Sequence, residues 1–186
     1  MAKNYTTQNE LLLKNLLEYY GEEQNLNKML NIINGESSIS LRIVDWFVTN
    51  YAKKNFTVYN IVKNDSTIRF KVYFDYKLKL KAYSKKRFDP FCRWERITIP
   101  YKNDKVIQTT IGQLNFFKWA IENDVIKYIE NNYITIENDM NNRNSTSKKN
   151  KESYSNNKTR KKREELSVSA VKSIKKEDVE IVVKFD

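Results

Sequence analysis

The chain has 186 residues, with 34 Lys and Arg against 23 Asp and Glu, no His, one Cys, three Gly and two Pro, and a formal net charge of +11. That length suits one domain of about 100 to 150 residues with an appendage, enough to bury a core. Without His, the commonest metal ligand and the usual neutral-pH proton shuttle are missing, which excludes His-dependent triads and zinc sites. The scattered Gly21, Gly35 and Gly112 form neither common glycine-rich phosphate loop. The expectation is a binding protein rather than an enzyme, with no catalytic residue, metal or cofactor. A lone Cys92 cannot form an internal disulfide and the opening MAKNYTTQNE lacks the apolar stretch of a secretory signal, so a reducing compartment is expected. Apolar runs such as Trp46-Phe47-Val48 are far shorter than the roughly 20 residues that cross a bilayer, which predicts a soluble protein without a membrane partner.

Thr7-Gln8-Asn9-Glu10 has the spacing of a capping box. Leu12, Leu13, Leu16, Leu17 and Tyr20 then recur at helical spacing up to Gly21, which suits a left-handed C-cap. Leu26, Met29, Leu30 and Ile33 predict a second helix before Gly35. Ile43, Val44, Phe47, Val48 and Tyr51 fit a third, although Ile39, Leu41 and Ile43 also alternate as a strand would.

From Phe56 the period becomes two. Phe56, Val58 and Asn60-Ile61-Val62 lead into the polar turn Asn64-Asp65-Ser66, which predicts a β-hairpin. The returning segment places Ile68, Phe70, Val72, Phe74, Tyr76, Leu78, Leu80 and Ala82 on one side and Arg69, Lys71, Tyr73, Asp75, Lys77, Lys79 and Lys81 on the other. At about 3.3 Å per residue such a strand is roughly 50 Å long, so a bend, a bulge or a switch to helix near Asp75 is expected. Trp94 to Ile99 and Lys105 to Thr109 predict short strands around the Lys102-Asn103-Asp104 turn. Thr110-Ile111-Gly112-Gln113 has capping-box spacing, and Leu114, Phe117, Ile121, Val125 and Tyr128 predict one long helix over 111–131, lying across the sheet.

Residues 138–163 (NDMNNRNSTSKKNKESYSNNKTRKKR) have almost no aliphatic side chains, which predicts a disordered basic linker. Beyond it Val179, Ile181, Val183 and Phe185 alternate with Glu180, Val182, Lys184 and Asp186, a C-terminal strand pattern that either folds back onto the sheet or pairs with another protein's edge. The expected organisation is an α+β domain over 1–137, with N-terminal helices and an antiparallel sheet covered by one long helix. A linker over 138–165 and a strand segment over 166–186 complete it.

Charge is concentrated. Residues 69–96 hold ten basic and three acidic groups: Arg69, Lys71, Lys77, Lys79, Lys81, Lys85, Lys86, Arg87, Arg93 and Arg96 against Asp75, Asp89 and Glu95. Positive charge at every second strand residue recurs about every 6.6 Å, a spacing that suits a nucleic-acid backbone. Tyr73, Tyr83, Phe88, Phe91 and Trp94 offer faces for stacking. The same pattern is also that of an ordinary half-solvated strand whose lysines deter aggregation. Lys158, Arg160, Lys161, Lys162 and Arg163 in the linker extend the phosphate-binding set, or serve as a nuclear address or a solubilising spacer. Cys92 beside Arg93 reads as a small core residue rather than a nucleophile. Asp75, Asp89 and Glu95 as a Mg²⁺ nuclease site is a weaker reading, since ion pairing suits them better.

Three stretches, Ile43-Val44-Asp45-Trp46-Phe47-Val48-Thr49-Asn50-Tyr51, Phe88-Asp89-Pro90-Phe91-Cys92-Arg93 and Thr109-Thr110-Ile111-Gly112-Gln113-Leu114-Asn115-Phe116-Phe117-Lys118-Trp119-Ala120-Ile121, together resemble an uncharacterised protein family of nucleocytoplasmic large DNA viruses, mimivirus-like in composition. The resemblance implies a viral protein acting in the virion or in the host cytoplasm or nucleus, and brings no catalytic residues. The function expected is sequence-nonspecific binding of viral DNA or RNA through the basic sheet face and the linker. The alternative is a structural or assembly protein that binds other virion proteins through its sheet edge and C-terminal strand.

Overall fold

The computed structural model describes residues 7–63, 65–101, 105–152 and 175–178. The protein is α+β, built from helices and two small antiparallel sheets. Helix α1 (Gln8–Tyr20) starts in the capping box read from its sequence: the Thr7 hydroxyl accepts from the Glu10 amide and Glu10 Oε2 accepts from the Thr7 amide. Gly21 follows in right-handed geometry, φ −60°, not the left-handed form expected. That form appears at Gly35, φ +76°, closing α2 (Glu23–Asn34), whose Leu26, Met29, Leu30 and Ile33 are buried. The third helix also forms. Ser40 caps α3 (Leu41–Trp46), which passes through a π-helical turn (Phe47–Tyr51) into α4 (Ala52–Lys54). At that turn the Thr49 hydroxyl donates to the Asp45 carbonyl at 2.7 Å, competing with the backbone for an acceptor.

Strands β1 (Val58–Lys63) and β2 (Ser66–Lys71) make the predicted hairpin, in register from Val58 opposite Lys71 to Lys63 opposite Ser66. The long alternating strand does not continue. After Lys71 the chain turns into helix α5 (Val72–Arg87), so the switch falls three residues before Asp75. Composition explains it: Val, Ile and Thr crowd residues 57–72 and none occurs over 73–87, where Leu, Lys, Ala and Arg favour helix. The burial follows a helical period, with Val72 and Tyr76 buried and Tyr73, Lys79, Leu80 and Tyr83 half-buried. Phe74 and Leu78, expected inside, stand 61% and 66% exposed. Ser84 breaks the helix at φ 63°, ψ 168°, a region that favours glycine, and re-aims the last turn.

Strands β3 (Arg96–Pro100) and β4 (Lys105–Thr110) pair from Arg96 opposite Thr110 to Pro100 opposite Val106. The Lys102-Asn103-Asp104 turn lies outside the described residues. The helix predicted over 111–131 is two helices, α6 (Ile111–Glu122) and α7 (Val125–Asn131), because Asn123 and Asp124 interrupt it with Asp124 at φ 53°. Asp and Asn tolerate that conformation better than most residues. Rather than lying across a sheet, α6 is the central helix: Leu114, Phe116, Phe117 and Ala120 are fully buried, and α1, α2, α5, α7 and β4 surround it. The Tyr20 hydroxyl donates to the Leu114 carbonyl at 2.7 Å across this core.

Helix α8 (Tyr133–Glu152) runs through the first part of the segment 138–165 that was expected to be a linker. Ile136 and Met140 anchor its start in the core, so the helix inherits its direction from packing before the polar stretch begins. Residues 153–165, with Lys158, Arg160, Lys161, Lys162 and Arg163, lie outside the described residues. Strand β5 (Lys175–Asp178) folds back antiparallel onto β4, Lys105 opposite Asp178. It precedes the alternating run 179–185, which falls outside the described residues. Among the described residues no helix is long and apolar enough to cross a membrane.

Candidate nucleic-acid interface

On a strand, Lys71, Lys77, Lys79 and Lys81 would form one row; on a helix they separate. Lys71 ends β2 and sits at the N-cap of α5. Lys77 and Lys81 are one turn apart, about 6 Å along the axis, and both are exposed. Lys79 points to the opposite flank, into a cavity of about 180 Å³ lined also by Lys63, Asp75, Lys118, Trp119 and Glu122. Phe74, Lys77, Leu78 and Lys81 therefore share the outer face of α5. Among the described residues, Lys71, Lys77 and Lys81 form no ion pair. Asp75, the acid of this segment, turns away and accepts from Trp119 Nε1 at 2.6 Å.

The other predicted cations are dispersed. Arg69 is exposed on β2 opposite Asn60. Lys85 lies beyond the Ser84 break, where its charge opposes the upward shift of the Asp45 and Asp89 carboxyls. Lys86 sits over the Trp94 ring at 4.7 Å, and half-buried Arg87 gives its carbonyl to Asn115 Nδ2 at 2.9 Å. Arg93 is exposed and engaged by a partner; Arg96 is exposed on β3. Of the aromatic residues read as stacking faces, Phe88 is fully buried, and Tyr83 and Phe91 pack against the core. Trp94 is 57% exposed, and half-buried Tyr73 lines a surface groove.

That groove is what sequence reasoning missed. About 440 Å³ in volume, it lies between α4 and the starts of β1 and α5, and is lined by Lys53, Phe56, Val58, Lys71, Tyr73 and Phe74 together with Ala52 and Thr57. Phe56 is 77% exposed and holds φ 47°. Lys53 Nζ stands over the Tyr73 ring at 5.7 Å. Phe56 and Phe74 each matched the buried phase of an alternating strand, so the only signal was the KKNF run, an aromatic residue two positions after a pair of lysines where a helix ends.

The three motif stretches converge on a different place. The loop Phe88–Cys92 is pinned to the N-terminal end of α6: Gln113 Nε2 donates to the Pro90 carbonyl, the Thr110 hydroxyl to the Cys92 carbonyl, and Cys92 Sγ to the Lys86 carbonyl. Gly112 admits this contact, since a β-carbon there would stand 3.0 Å from both Cys92 Cβ and the Lys86 carbonyl oxygen. From the first motif, Asp45 is half-buried near Asp89; desolvation, then the Asp89 charge, pushes its carboxyl up to about 6, against the pull of Lys85. Burial also raises Asp89, while the Phe91 amide and Lys85 oppose the shift. The acids of the nuclease reading are held apart: Asp89 Oδ1 accepts from the Phe91 amide, Glu95 Oε1 from Trp94 Nε1, and Asp75 from Trp119. Among the described residues no three metal-ligating side chains gather.

Comparison with known proteins gives the chain its family. The model of a family described as "Family of unknown function (DUF7197)" matches residues 1–186. The chain belongs to this family. It is also 52% identical, over 133 residues, to "Uncharacterized protein L507" of Acanthamoeba polyphaga mimivirus, an alignment covering 69% of the chain and 50% of that relative. The chain thus spans about half the length of the curated relative it matches. The resemblance to an uncharacterised viral family holds. No solved structure matches the chain.

Proposed function

We propose that this member of the family is a sequence-nonspecific nucleic-acid-binding protein. The contact surface in this reading is the outer face of α5 with the adjoining groove, in place of the flat basic strand expected from the alternation. One observation carries it: Lys77 and Lys81 on the outer face of α5, and Lys71 at its N-cap, are exposed without an ion pair among the described residues, near Lys53 and two solvent-facing phenylalanines. Surface lysines gain most from a dense polyanion, because each phosphate they neutralise releases condensed counterions. Arg69 and Arg96 stand outside this patch and contribute at long range; Lys85 is partly neutralised by Asp45 and Asp89. The basic residues 158–163 add charge to the same reading.

The rival is a virion assembly protein that binds others through its sheet edge and C-terminal strand; β5, just before that strand, already occupies the edge of β4. The test is fluorescence anisotropy with labelled DNA and RNA over a range of salt. Reversing Lys77 and Lys81 to Glu should weaken binding and lower the log–log salt slope by roughly 1 to 2, since each lost phosphate contact removes about 0.7 to 0.9. Unchanged affinity and slope would refute the reading.

A further inference from the structure

We infer that the groove between α4, β1 and α5 takes unpaired bases, so that the ligand of this surface is single-stranded nucleic acid. This rests on the nucleic-acid reading and narrows it. Two rings, Phe56 at 77% and Phe74 at 61% exposure, line an apolar depression of about 440 Å³. That is a size typical of small-ligand sites. Lys53 and Lys71 also line it, and no acidic residue does. The occupant that complements this lining carries flat apolar faces and negative charge in alternation. An unpaired strand has both; a duplex buries its base faces in the stack and presents only phosphates, sugars and base edges.

Phe56 supplies an independent argument. It occupies the left-handed position just past α4, where Gly or Asn is usual, with an aromatic side chain that packs little and stays in water. Backbone strain and exposed apolar area both disfavour the native state, and a stacking partner recovers the second of these. Lys77 and Lys81 continue the path along α5, so a strand whose bases enter the groove runs its phosphates down the helix face.

The experiment compares a short labelled oligothymidylate, an oligouridylate of the same length and a matched duplex, using full-length protein and the variants Phe56→Ala and Phe74→Ala. Both rings are exposed, so both variants fold; circular dichroism checks this. Tighter binding of either single strand than of duplex, weakened roughly five- to a hundredfold by each Phe variant with the salt slope unchanged, supports the inference. Equal or tighter duplex binding, indifferent to both variants but sensitive to Lys77→Glu with Lys81→Glu, overturns the groove and leaves the basic face standing. Binding of no oligonucleotide overturns both, and would redirect the same groove toward an acidic peptide.

Discussion

Replacing Phe56 by Gly separates stability from binding. A residue with a β-carbon in left-handed geometry costs about 1 to 2 kcal/mol, which glycine relieves. With φ at 47° and the ring 77% exposed, only about a quarter of the side chain contributes burial. At roughly 1.5 to 3 kcal/mol for a fully buried Phe, that quarter is worth about 0.5 kcal/mol. The wider freedom of glycine in the unfolded chain costs about 0.5 to 1 kcal/mol more. The sum is a change between about −0.5 and +1 kcal/mol, against the 3 to 5 kcal/mol lost by truncating a fully buried ring such as Phe47. Urea unfolding followed by tryptophan fluorescence should therefore give a midpoint near that of the parent with the same slope, while affinity for oligothymidylate falls at least about fivefold. A loss of stability above about 1.5 kcal/mol would show that the ring is packed, and the argument from its strain and exposure would fail.

Two further outcomes follow from the motif junction. The folded-state pKa of Asp45 is about 6 against 3.8 for the free carboxyl, so the native state binds a proton more tightly, and stability falls as pH rises from about 4 to about 6. Asp45→Asn should stabilise by roughly 1 to 3 kcal/mol at neutral pH and by little below pH 4; a difference independent of pH would refute it. Gly112→Ala should cost about 1 to 3 kcal/mol in urea unfolding, because the added methyl meets Cys92 and the Lys86 backbone at 3.0 Å; an unchanged midpoint would show that the loop yields freely.

Elements set by local chemistry were readable in the chain. The capping box at Thr7, the hairpin around Asp65 and the helix start at Thr110 depend on residues a few positions apart, and each is observed. The α5 region misled because V-Y-F-D-Y-K-L-K-L-K-A satisfies two periods at once, and only packing, of Tyr76 on Phe116 and Trp119 of α6 and of Tyr83 on Phe88, selects the helical one. Absence of β-branched residues after Val72 was the local clue. The groove was out of reach for another reason. Phe56 and Phe74 meet only through the hairpin between them, and each alone matches a strand interior. The proximity of Asp45 to Asp89 likewise depends on α5 passing between the motifs that carry them, though an acid inside an apolar run, as in Val44-Asp45-Trp46, marks a place where folding has been asked to tolerate a charge.

The junction where the Phe88–Cys92 loop seats on α6 gives the family likeness a particular meaning. The stretches that carry the resemblance meet at a keystone of this fold, and the keystone faces inward. In the nucleic-acid reading proposed above, the ligand contacts fall at positions 53, 56, 71, 74, 77 and 81, which belong to none of the three stretches. Comparing relatives at those six outward positions will therefore say more about shared ligands than the strength of the overall match.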